Sequence, residues 1–218
     1  MAGWYPIMLR LDGRLCVVIG GGQVAERKTA GLLEAGAKVR VVSPELTPAL
    51  SRLVSEAAME WRKKEAEPSD WDGAFLAFAA TDRPEVNRAM AEAAKESGIP
   101  VNVADEGESG DFILPAVLRR GDLLLAAGVS GSGPALAARI VRELAERYGP
   151  EYAGYAAAYR EVRAAVRSYA ENPEERRRLL AAAAEEEVLA EWASSGLPGD
   201  PRGLVDRLRA RVRPNHEV

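Results

Sequence analysis

The chain has 218 residues, 47% hydrophobic and 28% charged, enough for one large domain or a domain with a smaller module. Its formal net charge of -4 argues against a general nucleic-acid surface. No stretch is apolar for long enough to span a membrane and the N-terminus does not read as a signal peptide. The single cysteine, Cys16, excludes an internal disulfide framework and suits a reducing cytosol.

Residues 4–10 read as a short extended segment, and Asp12-Gly13 as a turn. The apolar run 15–19 reads as a buried strand in which Cys16 is an inert core filler. It ends in Gly20-Gly21-Gly22. A helical pattern carrying Val24, Ala25, Leu32 and Leu33 follows over about 23–35, closed by Gly36. Gly20, Gly22 and Ala25 fit the G-x-G-x-x-G/A spacing of a dinucleotide-binding turn. Gly20 allows the tight turn, Gly22 lets a pyrophosphate approach the backbone, and Ala25 lets the helix pack close to the strand. A second strand over 38–42 completes a parallel crossover unit.

Ser43-Pro44 stops that strand. A helix over 46–58 and a short strand over 59–62 follow, then a buried strand over 74–79 that ends in Thr81-Asp82. A helix over 84–97 has proline in its first turn and Gly98 at its end, and 101–103 is the next strand. The alternation predicts an α/β, Rossmann-type parallel sheet over residues 1–112. The apolar runs 112–118 and 123–127 flank Arg119-Arg120-Gly121-Asp122 and read as an antiparallel hairpin. A helix follows Ser130-Gly131-Ser132-Gly133-Pro134 and runs to about Tyr148, so that 113–149 form a hairpin-and-helix segment. Residues 150–218 read as a small helical domain, interrupted at Asn172-Pro173 and near Gly196, with residues 213–218 frayed.

Together the motifs resemble the precorrin-2 dehydrogenase family, which includes stand-alone bacterial enzymes and the N-terminal part of siroheme synthases. The matching segments are Tyr5-Pro6-Ile7, the run from Val18 through Lys28, and Leu33-Glu34-Ala35-Gly36-Ala37. Ala79-Ala80-Thr81-Asp82, Asn102-Val103-Ala104-Asp105 and Asp111-Phe112-Ile113-Leu114-Pro115 follow, and then Gly131-Ser132-Gly133-Pro134 with Arg139. The resemblance implies NAD-dependent oxidation of precorrin-2 to sirohydrochlorin in the cytoplasm. It also implies a homodimer built on a dimerisation segment at 113–149. In the bifunctional members the same protein is a ferrochelatase, with Fe2+ as a further substrate. A non-catalytic NAD-sensing module is the competing class, and the hairpin with its Ser-Gly-Ser-Gly-Pro loop speaks against it.

The resemblance assigns Gly20, Gly22, Gln23 and Val24 to the cofactor's phosphates, and Pro44 with Glu45 to its ribose. No arginine follows them directly, which favours NAD over NADP, although Arg40 is near in sequence. Thr81 and Asp82 end a strand at its carboxyl edge and fit the nicotinamide side; capping of the next helix is the structural reading of Asp82. Asp105 matches the family's catalytic aspartate, and a carboxylate there suits the proton that leaves with the hydride. The competing reading is a turn aspartate. Precorrin-2 carries eight carboxylates, so Asn102, Ser130, Ser132 and Arg139 are candidate substrate contacts. His216 is the lone histidine and sits near the chain end, so with one cysteine no soft-ligand metal cage is expected.

Overall fold

The computed structural model describes residues 3–104, 109–129, 133–197 and 199–212. Asp105, Ser130, Ser132, His216 and the 213–218 tail lie outside them. The chain divides into two compact units, Met1–Leu114 and Pro115–Val218.

The first unit is a five-stranded parallel sheet of β1 (Leu15–Ile19), β2 (Lys38–Val42), β3 (Glu60–Arg62), β4 (Leu76–Ala79) and β5 (Val101–Val103). The strand order is β3-β2-β1-β4-β5, so the direction of winding reverses between β1 and β4. β1 is buried along nearly its whole length because it is central, flanked by β2 and β4 and covered on both faces. Helices α1 (Gln23–Glu34) and α2 (Pro48–Ser55) belong to the crossovers on one side of the switch, and α3 (Pro84–Glu96) to the crossover on the other. Cys16 is fully buried in β1, and burial pushes its thiol up to about 11, against a smaller opposing hydrogen bond from the Leu76 backbone. That thiol is unreactive at neutral pH.

Three local details depart from the sequence pattern. Helix α2 begins at Pro48 rather than 46, because the Thr47 hydroxyl accepts the Leu50 N–H at 3.2 Å and caps it. A 3-10 turn, Pro68–Trp71, precedes β4. It seats Trp71 fully inside, where the indole N–H donates to the Met90 carbonyl at 2.8 Å. The hairpin is also displaced from 112–118: its first strand, β6, is Ala116–Arg120 and its second, β7, is Leu123–Ala127. Pro115 brings no N–H to a ladder, while Phe112 is committed to the first unit through an edge-on contact with Phe78 at 5.5 Å. Arg119 and Arg120 therefore sit in the strand, leaving only Gly121 and Asp122 for the turn, with Gly121 at φ 55°.

Asp70, in the 3-10 turn, is completely buried. Burial raises its carboxyl pKa, but the Glu67 N–H at 2.9 Å, Lys64 at 3.0 Å and Arg62 at 3.1 Å outweigh that and hold it below the usual carboxylate range. A depressed folded-state pKa stabilises the fold at neutral pH and loses that contribution as pH falls through it. The urea midpoint is therefore expected to drop between about pH 5 and 2. Asp70→Asn is expected to flatten that drop and to cost about 2 kcal/mol at pH 7; an unchanged acid limb in chemical denaturation would count against this reading.

The second unit joins the hairpin to α4 (Pro134–Arg147), α5 (Tyr152–Tyr169), α6 (Pro173–Ala183), α7 (Glu186–Ser195) and α8 (Pro201–Val212). Asn172 caps α6 through the Glu175 N–H at 2.8 Å, so the expected break at Asn172-Pro173 is present. A break near Ala184-Glu185 is an addition. Val162, Val166, Leu179, Trp192, Leu204, Val205 and Leu208 form its core.

Candidate functional site

The glycine turn sits where the order of strands reverses. Gly20 has φ 118°, and a Cβ there would lie 2.3 Å from the Ala80 carbonyl oxygen. Its N–H donates to the Val42 carbonyl at 2.9 Å. Gly21 is equally hemmed in on the other flank: a Cβ would meet the Glu45 carbonyl oxygen at 1.9 Å and Ser43 Oγ at 2.8 Å. Its own carbonyl accepts the Thr47 N–H at 2.9 Å. The turn is thus wedged between the chain leaving β4 and the chain leaving β2. Gly22 differs, since no atom lies within 4 Å of where its Cβ would be. Space is left in front of Gly22 and filled beside Gly20 and Gly21.

Gly22 is also the N-cap of α1 and has no side chain to occupy the first N–H groups. The first intrahelical bond runs from the Glu26 N–H to the Gly22 carbonyl at 2.9 Å, so the N–H groups of Gln23, Val24 and Ala25 precede the ladder. Gly22 and Gln23 are exposed, Val24 is half-buried against the core, and Ala25 is fully buried under the sheet. An exposed helix N-terminus behind an open glycine suits a pyrophosphate. Glu26 accepts the Thr47 hydroxyl at 2.7 Å, which fixes the β2–α2 loop to the helix.

Pro44 and Glu45 lie exposed just beyond the carboxyl end of β2. Arg40 is inside β2 and gives its Nε to Glu60 at 2.9 Å, with its side chain 14% exposed. Arg62, at the end of β3, is shared by Glu60 and Asp70. Arg40 and Arg62 are thus matched by carboxylates, while Lys63 Nζ lies 5.6 Å from the ring centre of Trp61, whose indole N–H donates to the Ser43 carbonyl at 3.0 Å. Thr81 follows β4, half-buried, with its hydroxyl and N–H on Asn87 Oδ1 at 2.7 and 3.0 Å. Asn87 Nδ2 returns a bond to the Thr81 carbonyl at 3.0 Å. Buried Asn87 thus orders the β4–α3 loop, a role that no spacing in the sequence announced. Asp82 is exposed, and α3 has Arg83 as its N-cap, without a side-chain capping bond.

Asn102 is 5% exposed in β5. Its Oδ1 accepts from Lys28 Nζ at 2.5 Å, and its Nδ2 donates to the Phe112 carbonyl at 2.9 Å. Lys28 is only 9% exposed and belongs to the buried stripe Ala25, Lys28, Thr29, Leu32 of α1. A lysine at helical spacing within an apolar stripe was the available signal for it. Arg139 lies exposed on α4 in the second unit, paired with Glu143 at 3.2 Å. Among the described residues no cluster of three or more His, Cys, Asp or Glu is arranged to hold a metal, and no helix is long and apolar enough to cross a membrane.

A parallel sheet wound in both directions, with this turn at its switch point, defines a Rossmann-type dinucleotide-binding protein. Residues 7–116 match the family model described as "Putative NAD(P)-binding". Siroheme synthase 1 of Aeromonas salmonicida is 36% identical over 208 residues, which is 95% of this chain and 44% of that protein. The siroheme synthase of Methylobacillus flagellatus is 42% identical over 172 residues, 78% of this chain and 37% of that protein. The chain thus spans less than half the length of these curated relatives. A solved structure titled "SirC, precorrin-2 dehydrogenase" superposes at a TM-score of 0.75 with 25% identity, covering 95% of this chain and all of that one. The chain belongs to the family whose model it matches over half its length, described as putative NAD(P)-binding. The match is to a dinucleotide-binding, NAD(P)-type domain, and the open face of Gly22 beside the uncapped helix end fits the dinucleotide's phosphates.

Proposed function

We propose that the chain oxidises precorrin-2 to sirohydrochlorin, on the route to sirohaem. One observation carries this reading: a chain with an open NAD turn also covers the whole of a solved precorrin-2 dehydrogenase chain. NAD+, when bound, supplies the hydride acceptor. Gly20 and Gly22 with the N–H groups of Gln23 and Val24 hold its phosphates, and Pro44 with Glu45 meets its ribose. The lack of an arginine directly after Pro44-Glu45, with Arg40 and Arg62 engaged by carboxylates, supports NAD over NADP. Thr81 and Asp82 border the nicotinamide side, at the carboxyl end of β4. Asp105 takes the proton that must leave with the hydride. Asn102, Ser130, Ser132 and Arg139 serve the substrate's carboxylates, Asn102 from within the first unit.

The protein works as a cytoplasmic homodimer through the 113–149 segment. Support comes from Val117 and Leu136, which are 48% and 39% exposed on a two-stranded sheet and its helix, since an isolated hairpin is marginal in water. Purified protein given precorrin-2 and NAD+ is expected to yield NADH and the absorption spectrum of sirohydrochlorin. Light scattering on the same sample is expected to read twice the chain mass. Tight NAD+ binding with precorrin-2 left unchanged would refute the enzyme and favour a sensor. A parallel reaction of sirohydrochlorin with Fe2+ decides whether the chain also chelates.

A further inference from the structure

Lys28 is a buried ammonium on the nucleotide helix that none of the cofactor assignments uses. Its side chain crosses from α1 to β5, placing Nζ 2.5 Å from Asn102 Oδ1 and 5.7 Å from the Phe78 ring centre. Phe78 and Asn102 are paired neighbours on β4 and β5 and so face the same side of the sheet. Asn102 passes the link on, through Nδ2, to the Phe112 carbonyl at 2.9 Å. Phe112 in turn sets its ring edge-on to Phe78 at 5.5 Å.

The segment that Asn102 grips runs back along β5. The Asp111 N–H donates to the Val101 carbonyl at 2.8 Å, and Asp111 Oδ2 accepts the Val101 N–H at 3.0 Å. A Cβ on Gly110 would lie 2.8 Å from the Val101 carbonyl oxygen, so only glycine passes this close. The chain leaves β5 at Ala104, whose N–H is held by the Ala79 carbonyl at 2.8 Å, and is back beside the strand at Gly110. Lys28 therefore connects the helix that receives the cofactor's phosphates to β5 and to the 110–112 segment that runs beside it.

Burying an ammonium costs several kcal/mol unless it is well bonded. A methionine would fill the same apolar path between α1 and Phe78 without that cost. A charged link is spent here on geometry rather than on stability. We propose that Lys28 is a positioning residue, clamping β5 and residues 110–112 to the nucleotide helix so that the reacting end of the cleft stays in register with bound NAD. The proposal rests on the dehydrogenase reading for its effect on turnover, while the clamp itself is a property of the first unit.

The test compares wild type with Lys28→Met and Lys28→Gln. Lys28→Gln keeps an N–H donor and so guards against a variant that fails to fold. NAD+ affinity by calorimetry is expected to be unchanged in both Lys28 variants. Amide exchange in peptides covering 110–112 is expected to accelerate, with peptides covering β1 and β2 unaffected. Turnover is expected to fall about a hundredfold in Lys28→Met while KM holds. Lys28→Gln, which keeps a donor toward Asn102 Oδ1, is expected to recover part of the turnover that Lys28→Met loses. Turnover of Lys28→Met at the wild-type rate would make Lys28 merely structural and overturn the proposal, as would unchanged exchange at 110–112. If wild type itself leaves precorrin-2 untouched, the dehydrogenase reading fails, and the exchange and calorimetry arms still decide the clamp.

Discussion

Gly22→Ala is expected to weaken NAD+ binding about a hundredfold while leaving a folded protein. Gly22 has φ -86° and ψ -172°, an extended conformation that alanine adopts without strain. Its Cβ would meet no protein atom within 4 Å. The cost to the fold is the poorer N-cap, about 1 kcal/mol. The cost to binding is larger, because a methyl group occupies the one open face of the turn and keeps a phosphate off the first N–H groups of α1. Gly21→Ala makes the contrast. There a Cβ falls 1.9 Å from the Glu45 carbonyl oxygen, which can yield only by moving the β2–α2 loop and the Thr47 N–H bond with it. That variant is expected to lose about 3 kcal/mol of stability or more, with binding lost as a consequence. Calorimetric titration with NAD+ beside a thermal melt separates the two. Equal NAD+ affinity in Gly22→Ala and wild type would remove the turn from cofactor binding.

The difference between those glycines also marks how far the sequence could be read. The motif singles out Gly20 and Gly22 and passes over Gly21, because the spacing encodes contact with the ligand. The crowding at Gly21 comes from Glu45 and Ser43, more than twenty residues away, and no local pattern carries it. Strand β1 falls where its apolar run places it, since a central parallel strand must be apolar on both faces, and β2 and β5 fall between the turn residues that bound them. The first hairpin strand does not, because Phe112 looks like any strand aromatic until its ring is found on Phe78. Lys28 was hidden for a related reason. Charged side chains are ordinarily assigned to the solvent face of a helix, and the bond to Asn102, distant in sequence, is what local spacing does not show.

Asp105→Ala is expected to reduce dehydrogenation of precorrin-2 by about a thousandfold with NAD+ affinity retained. Oxidation of precorrin-2 removes a hydride and a proton, and the proton needs a base that is ionised near neutral pH and lies within hydrogen-bond reach. Among side chains the first unit could offer, histidine is absent, as the chain's one histidine is His216. Cys16 is excluded by its burial and its raised pKa. Asp70 is sealed under Arg62 and Lys64, and Asp111 is spent on the Val101 N–H. Asp82, exposed after β4, is one carboxylate left at the carboxyl ends of the strands, where this architecture binds its ligands, and Asp105, next in sequence after Ala104, is the one on which the family resemblance falls. Loss of the carboxylate leaves the hydride route intact and removes only the proton's destination. Added formate is therefore expected to restore part of the activity of Asp105→Ala and none of that of Gly22→Ala. Turnover of Asp105→Ala at the wild-type rate would send the proton directly to solvent and leave the aspartate no part in the reaction.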